Sequence, residues 1–207
     1  MTSSSGNINP VHFDFVCKYL QRFMPLTEEQ VLNLMQYCEF RNFARKQVIV
    51  REGEIDNYLN MVVEGLVRKY VRIRKSEVIL QLATEGHVIH SEISFLTRTP
   101  SPVALDALEP STLVSIRYDK MEEALEKYKQ GERLGRLILT GMYVKKDEQR
   151  YTRLSKSIRE RFIHYVENHP HMLQRVPQKY LASYLNIKPE TFSRLKHLIR
   201  NRGNEEK

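Results

Sequence analysis

The chain has 207 residues, with 33 Lys+Arg against 25 Asp+Glu and a formal net charge of +8 when its seven histidines are neutral. Hydrophobic residues make up 41% of it and charged residues 28%, ordinary globular usage that excludes wholesale disorder and a fibrous repeat. No apolar stretch approaches the roughly 20 residues of a membrane-spanning helix, and the Ser-rich start from Thr2 to Gly6 lacks the basic and apolar regions of a signal peptide, so a soluble, cytoplasmic protein is expected.

The first 40 or so residues read as helical. Phe13, Val16, Cys17 and Leu20 fall at helix spacing, Pro25 breaks the pattern, and Thr27 with Gln30 three residues on forms a capping-box signature before Val31, Leu32, Leu34 and Met35. From Gln47 to Arg117 the segments become short and rich in Val, Ile, Leu and Tyr. Turn signals separate them at Glu52-Gly53, Glu64-Gly65, Lys75-Ser76, Glu85-Gly86 and Thr99-Pro100. Val67 to Ile73 alternates, with Val67, Val71 and Ile73 on one face and Arg68, Tyr70 and Arg72 on the other. Such strands predict an antiparallel roll or barrel, and with the flanking helices an α+β fold.

Helical periodicity returns at Asp119. Gly131 is expected to separate a short helix from a longer one over about Glu132 to Ser155, on which Leu134, Leu137, Gly141, Val144, Glu148 and Tyr151 form a heptad-like seam. That seam fits a dimer helix or a face packed on the roll, and the pattern leaves both open. The chain thus divides into a roll with N-terminal helices over 1–131, a long helix over 132–155 and a C-terminal domain over 156–207. Cys17 and Cys38 are too few for a disulfide framework or a four-thiolate cluster and read as structural thiols.

Charge follows this division. Residues 1–149 hold 20 Lys+Arg and 20 Asp+Glu, whereas residues 150–207 hold 13 against five, which is the whole of the +8. The basic segment also carries a helix-turn-helix pattern. Leu181, Leu185, Ile187, Phe192 and Leu195 are apolar where such a motif is buried, Ala182 is small where its helices cross, and Asn186 sits at the turn position that requires a left-handed backbone. Pro189 suits the first position of the second helix, although Lys188 is a poor N-cap. In a major groove, Lys188, Glu190, Thr191 and Arg194 would meet base edges, Glu190 accepting from cytosine and Arg194 pairing with guanine. Lys179, Ser193, Arg200 and Arg202 are the expected phosphate contacts.

The run from Arg175 to Arg194 (RVPQKYLASYLNIKPETFSR), with the roll and long helix before it, resembles the Crp/Fnr family of bacterial transcription regulators, and most specifically its Bacteroidetes branch. The resemblance covers nearly the whole chain. It implies a cyclic-nucleotide-binding-domain-like roll, a homodimer that sets two recognition helices about 34 Å apart on double-stranded DNA, RNA polymerase as a further partner, and no enzymatic activity. Glu190 and Arg194 match the family's base-reading Glu and Arg, while Pro189 replaces an Arg of the best-known members. Seven residues follow Arg200, too few for the two-strand wing that commonly comes next.

In family members that bind cyclic nucleotide, a Gly-Glu pair holds the ribose and phosphate, and a Pro-Arg segment neutralises the phosphate. Here Ser91-Glu92 and Pro100-Ser101 stand in those places, so Glu92 is kept and the arginine is lost. A buried phosphate without a guanidinium forgoes strong charge-assisted bonds. The effector pocket expected from this is Ser91, Glu92, Ser101 and Arg98, with Arg98 as a substitute cation, and cyclic nucleotide is disfavoured. A cupin-like metal site at His87, His90 and Glu92 is a weaker alternative, because residues three apart on a strand face opposite ways. Haem ligation by His87 or Cys17 is weaker still, and no cofactor or metal is expected.

Overall fold

The computed structural model describes residues 9–74 and 76–205, together with their side chains except those of Lys129 and residues 198–205. Helix α1 (Pro10–Gln21) starts where the Asn9 side chain accepts from the Val11 amide, and Pro10 has no donor to satisfy there. Helix α2 (Glu28–Met35) opens on the expected capping box. The Gln30 amide donates to the Thr27 hydroxyl at 3.2 Å and the Thr27 amide to the Gln30 side chain at 2.9 Å.

The strands begin earlier than the periodicity predicts. Strand β1 (Cys38–Phe43) precedes β2 (Val48–Val50), β3 (Tyr58–Glu64), β4 (Val67–Ile73), β5 (Ser76–Ala83) and β6 (Val88–Ile89), and after helix α3 (Glu92–Thr97) come β7 (Ala104–Ala107) and β8 (Ser111–Arg117). They form two four-stranded sheets, ordered β1-β8-β3-β6 and β2-β7-β4-β5. Sequence reading misses β1 because Cys-Glu-Phe-Arg-Asn-Phe has no β-branched run. Its strand identity comes from pairing along its whole length with β8, from Cys38 opposite Ile116 to Phe43 opposite Ser111. The guanidinium of Arg41 adds cation–π contacts to Tyr58 and Phe43, 4.0 and 5.0 Å from their ring centroids.

The roll's core is Val62, Leu66, Val67, Ile89, Phe95, Leu105 and Leu113, all nearly or completely buried. At the β3–β4 turn, Gly65 has φ +100°, and a Cβ there would meet the Ser111 side chain and the Pro110 carbonyl. Only glycine fits both the backbone and the space. Alternation along β4 does not set burial as expected. Val67, Arg68, Lys69 and Tyr70 are all buried, whereas Ile73 is 54% exposed. Position along the strand outweighs face, and the buried cations are tolerated because each meets a carboxylate. Arg68 makes two bonds to Asp106, Nε to Oδ1 at 2.6 Å and Nη2 to Oδ2 at 2.7 Å.

The chain divides into two compact units, one running to Lys69 and resuming over Ala83–Gly141, the other comprising Tyr70–Leu82 and Met142 onward. Helix α4 (Tyr118–Lys127) ends at Tyr128, whose backbone is extended, and α5 (Lys129–Ser155) follows at once. Gly131 is therefore inside α5 and does not break it. Its role is close approach, since a Cβ would sit 3.3 Å from the Ala124 carbonyl. In the second unit, α6 (Ile158–Asn168), α7 (Met172–Arg175), α8 (Gln178–Tyr184) and α9 (Pro189–Glu205) pack around Phe162, Leu181 and Phe192. Strand β5 joins them, the Ile79 amide donating to the Ser183 hydroxyl at 2.9 Å. Among the described residues no strand follows α9 and no helix is long and apolar enough to cross a membrane. Cys17 and Cys38 are free thiols, and burial pushes Cys38 up to about 12.

Candidate functional site

Two places carry the predicted functional residues. The first is the turn between α8 and α9. Helix α8 ends with Asn186 in the left-handed conformation, φ +54°, as its position predicts. The Ile187 amide reaches back to the Ala182 carbonyl at 2.9 Å and the Asn186 amide to the Ser183 carbonyl at 3.0 Å. This is the paired closure of a Schellman motif, and it satisfies carbonyls that the helix end would otherwise orphan. Leu181, Ala182, Leu185, Ile187 and Phe192 are buried, and Phe192 meets Phe162 of α6 edge-on at 5.0 Å between centroids.

With its apolar side committed to that core, α9 turns its other side outward. Lys188, Glu190, Ser193 and Arg194 are exposed and Thr191 is half-buried, so the residues picked for base and phosphate contact share the free side of one helix. The Arg194 guanidinium lies 3.4 Å from the Thr191 hydroxyl. Lys179, on α8, is also exposed, its ammonium 4.8 Å from the Tyr180 ring centroid. The side chains of Arg200 and Arg202 lie outside the described ones.

The seam on α5 is divided in its surroundings. Leu134 is buried, Leu137 is half-buried, and Gly141 lies against Phe23, where a Cβ would come within 3.3 Å of the ring. From there on it is uncovered. Val144 is 49% exposed and Tyr151 71%, with Tyr143 and Leu154 exposed beside them.

The second place is the roll cluster around Ser91, Glu92 and Ser101. Ser91 and Ser101 are almost completely buried, and the Ser101 hydroxyl donates to the Ser91 hydroxyl at 2.8 Å. The Ser101 hydroxyl also accepts from the Val103 amide at 3.2 Å, and the Ser91 amide donates to the Asp56 carboxylate at 2.7 Å. Burial pushes the Asp56 carboxyl up, against the pull of the amides it accepts from. Glu92 accepts from Lys69 through both oxygens, at 2.7 and 2.8 Å, and the same ammonium lies 3.2 Å from the His90 carbonyl.

Lys69 is the residue that sequence reading misses. Alternation gives no signal for it, because Arg68 and Lys69 are both buried and the carboxylate that pairs with Lys69 comes 23 residues later in the chain. Arg98, proposed as the stand-in cation, has other work. It caps α3 in a left-handed conformation, donates to the Asp56 and Phe95 carbonyls at 3.0 and 3.3 Å and to the Asn57 side chain, and stacks on Tyr118. None of its bonds goes to Ser91, Glu92 or Ser101. The cupin-like trio does not assemble either. His87 bonds within its own turn to Thr84, His90 packs edge-on to Phe95, and among the described residues no three His, Cys, Asp or Glu side chains group as a metal site.

Comparison with known proteins agrees with the roll's geometry. Residues 40–128 match the cyclic nucleotide-binding domain family. No curated protein matches the chain. Among solved structures, FixK2 from Bradyrhizobium japonicum is similar at TM-score 0.64 and 19% identity, covering 80% of this chain and 86% of that one. The catabolite activator protein of Thermus thermophilus is similar at TM-score 0.54 and 19% identity, covering 89% and 88%. The sensor domain of the transcriptional regulator DNR from Pseudomonas aeruginosa is similar at TM-score 0.52 and 18% identity, covering 67% and 91%. These likenesses show the fold, an α+β architecture in which the roll matching the cyclic nucleotide-binding domain is followed by a helical region. Within that domain, Glu92 and Ser101 are already engaged by other side chains of the same chain.

Proposed function

We propose that this chain is a transcription regulator of the Crp/Fnr type, in the branch that its Arg175–Arg194 run resembles, and that it binds double-stranded DNA as a homodimer. It works in the cytoplasm with RNA polymerase as a partner and has no catalytic role. The observation that carries this reading is the left-handed Asn186 turn, which sets Lys188, Glu190, Thr191 and Arg194 on the open side of α9 within the basic part of the chain. The uncovered half of the α5 seam supports the dimer, with Val144 and Tyr151 as contacts. In this reading 1–131 is the effector-type domain, 132–155 the dimer helix and 156–207 the DNA-binding domain.

Phosphate contacts from Lys179, Ser193 and Arg200 would set position, and binding would weaken as salt rises. Arg194 would read guanine. Arg194→Ala is therefore expected to cost about 1–3 kcal/mol of discrimination between a selected duplex and a scrambled one, with much less change in non-specific affinity. Fluorescence anisotropy on duplexes recovered from a random library with the unaltered protein measures both. Unchanged discrimination would sink the assignment.

The match of residues 40–128 favours a second reading, a regulator that responds to cyclic nucleotide. The site argues against it. Glu92 already holds the Lys69 ammonium, and the two serines bond to each other where a phosphate needs an arginine. Calorimetric titration with cyclic AMP and cyclic GMP is expected to give no saturable heat. Tight binding of either would make the second reading the correct one.

A further inference from the structure

In the second unit, the C-terminal half of α5, α6 and the end of α8 line an open cavity of about 400 Å³, within the range of small-molecule sites. Lys145, Arg153 and Arg161 line it, with Glu148 as the sole acidic lining residue, and His164 and His169 complete the polar wall. Lys145, Glu148, Gln149, Thr152 and Arg153 form one stripe of α5, because residues three, four, seven and eight apart share a helix face.

Arg161 stands out among these. Its Nη1 donates to the Arg153 carbonyl at 2.7 Å, while its Nε is buried and meets no hydrogen-bond acceptor among the described residues. Buried polar groups are nearly always paired. The guanidinium as a whole lines the cavity, and its planar array of donors suits phosphate oxygens.

We propose that this cavity binds a small phosphate-bearing metabolite, with the Arg161 guanidinium as anchor and Lys145 and Arg153 supplying the counter-charge. The field inside has the required sign. Burial, then the neighbouring His171, Lys145 and His164, hold the His169 imidazole below its usual pKa. Burial also pushes Tyr165 and Tyr184 up, which keeps both phenols neutral donors. Neither the roll nor DNA binding enters this assignment, so it stands or falls apart from the proposed function.

The test uses the full-length protein and inorganic pyrophosphate as probe, followed by calorimetry and by NMR of the histidine imidazoles. Saturable binding is expected, weakened about tenfold by Arg161→Gln through loss of the bidentate contact. The exposed variants Arg153→Gln and Lys145→Gln should weaken it severalfold and decide the matter should Arg161→Gln not fold. Because an anion favours the imidazolium, the His169 pKa should rise on saturation. The proposal is overturned by no saturable binding up to about 10 mM, or by equal affinity in all foldable variants. Displacement of pyrophosphate by saturating non-specific duplex also overturns it, since the cations would then serve DNA phosphates.

Discussion

Arg68→Ala is expected to destabilise the roll by about 3–5 kcal/mol, because it strands the Asp106 carboxylate in the interior without its counter-charge. Both side chains are about nine-tenths buried and joined by two bonds, so little water can enter to compensate. Against a total stability of about 5–15 kcal/mol for a typical protein, such a loss removes much of the folded population at moderate temperature. The double replacement Arg68→Met with Asp106→Leu is the informative control. It removes both charges together and should recover most of the loss, since a buried ion pair is worth little more than well-packed apolar groups. Urea unfolding followed by far-UV circular dichroism tests both. A single variant as stable as the parent would mean that Asp106 finds another partner.

Phe162→Ala is expected to cost about 3–5 kcal/mol in the other unit, as truncation of a fully buried aromatic usually does. Phe162 is 0% exposed and packs edge-on to Phe192, which adds aromatic geometry to the lost volume. Phe192 is on α9, between the residues assigned to DNA. The variant should therefore lose DNA affinity although no outward side chain has changed. Because the chain forms two compact units, its unfolding need not be a single transition. Phe162→Ala should move the transition of the α6–α9 unit and leave that of the roll in place. With 11 Tyr and no Trp, tyrosine fluorescence and circular dichroism are the natural probes. An unaltered denaturation profile would contradict the core assigned to this unit.

What the sequence made legible was local chemistry with one solution. Thr27-Glu-Glu-Gln30 could satisfy its amides in only one arrangement, and Asn186 followed a helix whose carbonyls needed a left-handed residue to close them. Burial of Leu181, Ile187 and Phe192 followed from helical spacing. Ser157 with Glu160 forms a second capping box, at the start of α6, by the same rule and was equally readable. Long-range pairing was not readable. Cys38–Phe43 is a strand because β8 lies beside it, and Arg68 and Lys69 are buried because Asp106 and Glu92 arrive from 38 and 23 residues away. Arg98 lies close to the cluster in sequence, but its partners are set by the left-handed end of α3. Gly131 looked like a helix break because glycine has poor helix propensity, yet a close approach used it inside the helix.

The Lys69–Glu92 pair has a consequence for recognition in the roll. A lysine on the same chain is an intramolecular competitor, present at the carboxylate at an effective concentration of millimolar or more. Any small molecule that seeks Glu92 must outcompete this tethered cation or bind beside it. A cationic ligand would have to displace the ammonium, and a hydroxyl would offer weaker bonds than those it breaks. The pair thus works as a selectivity filter written in the polypeptide itself, raising the threshold for occupancy without closing the domain.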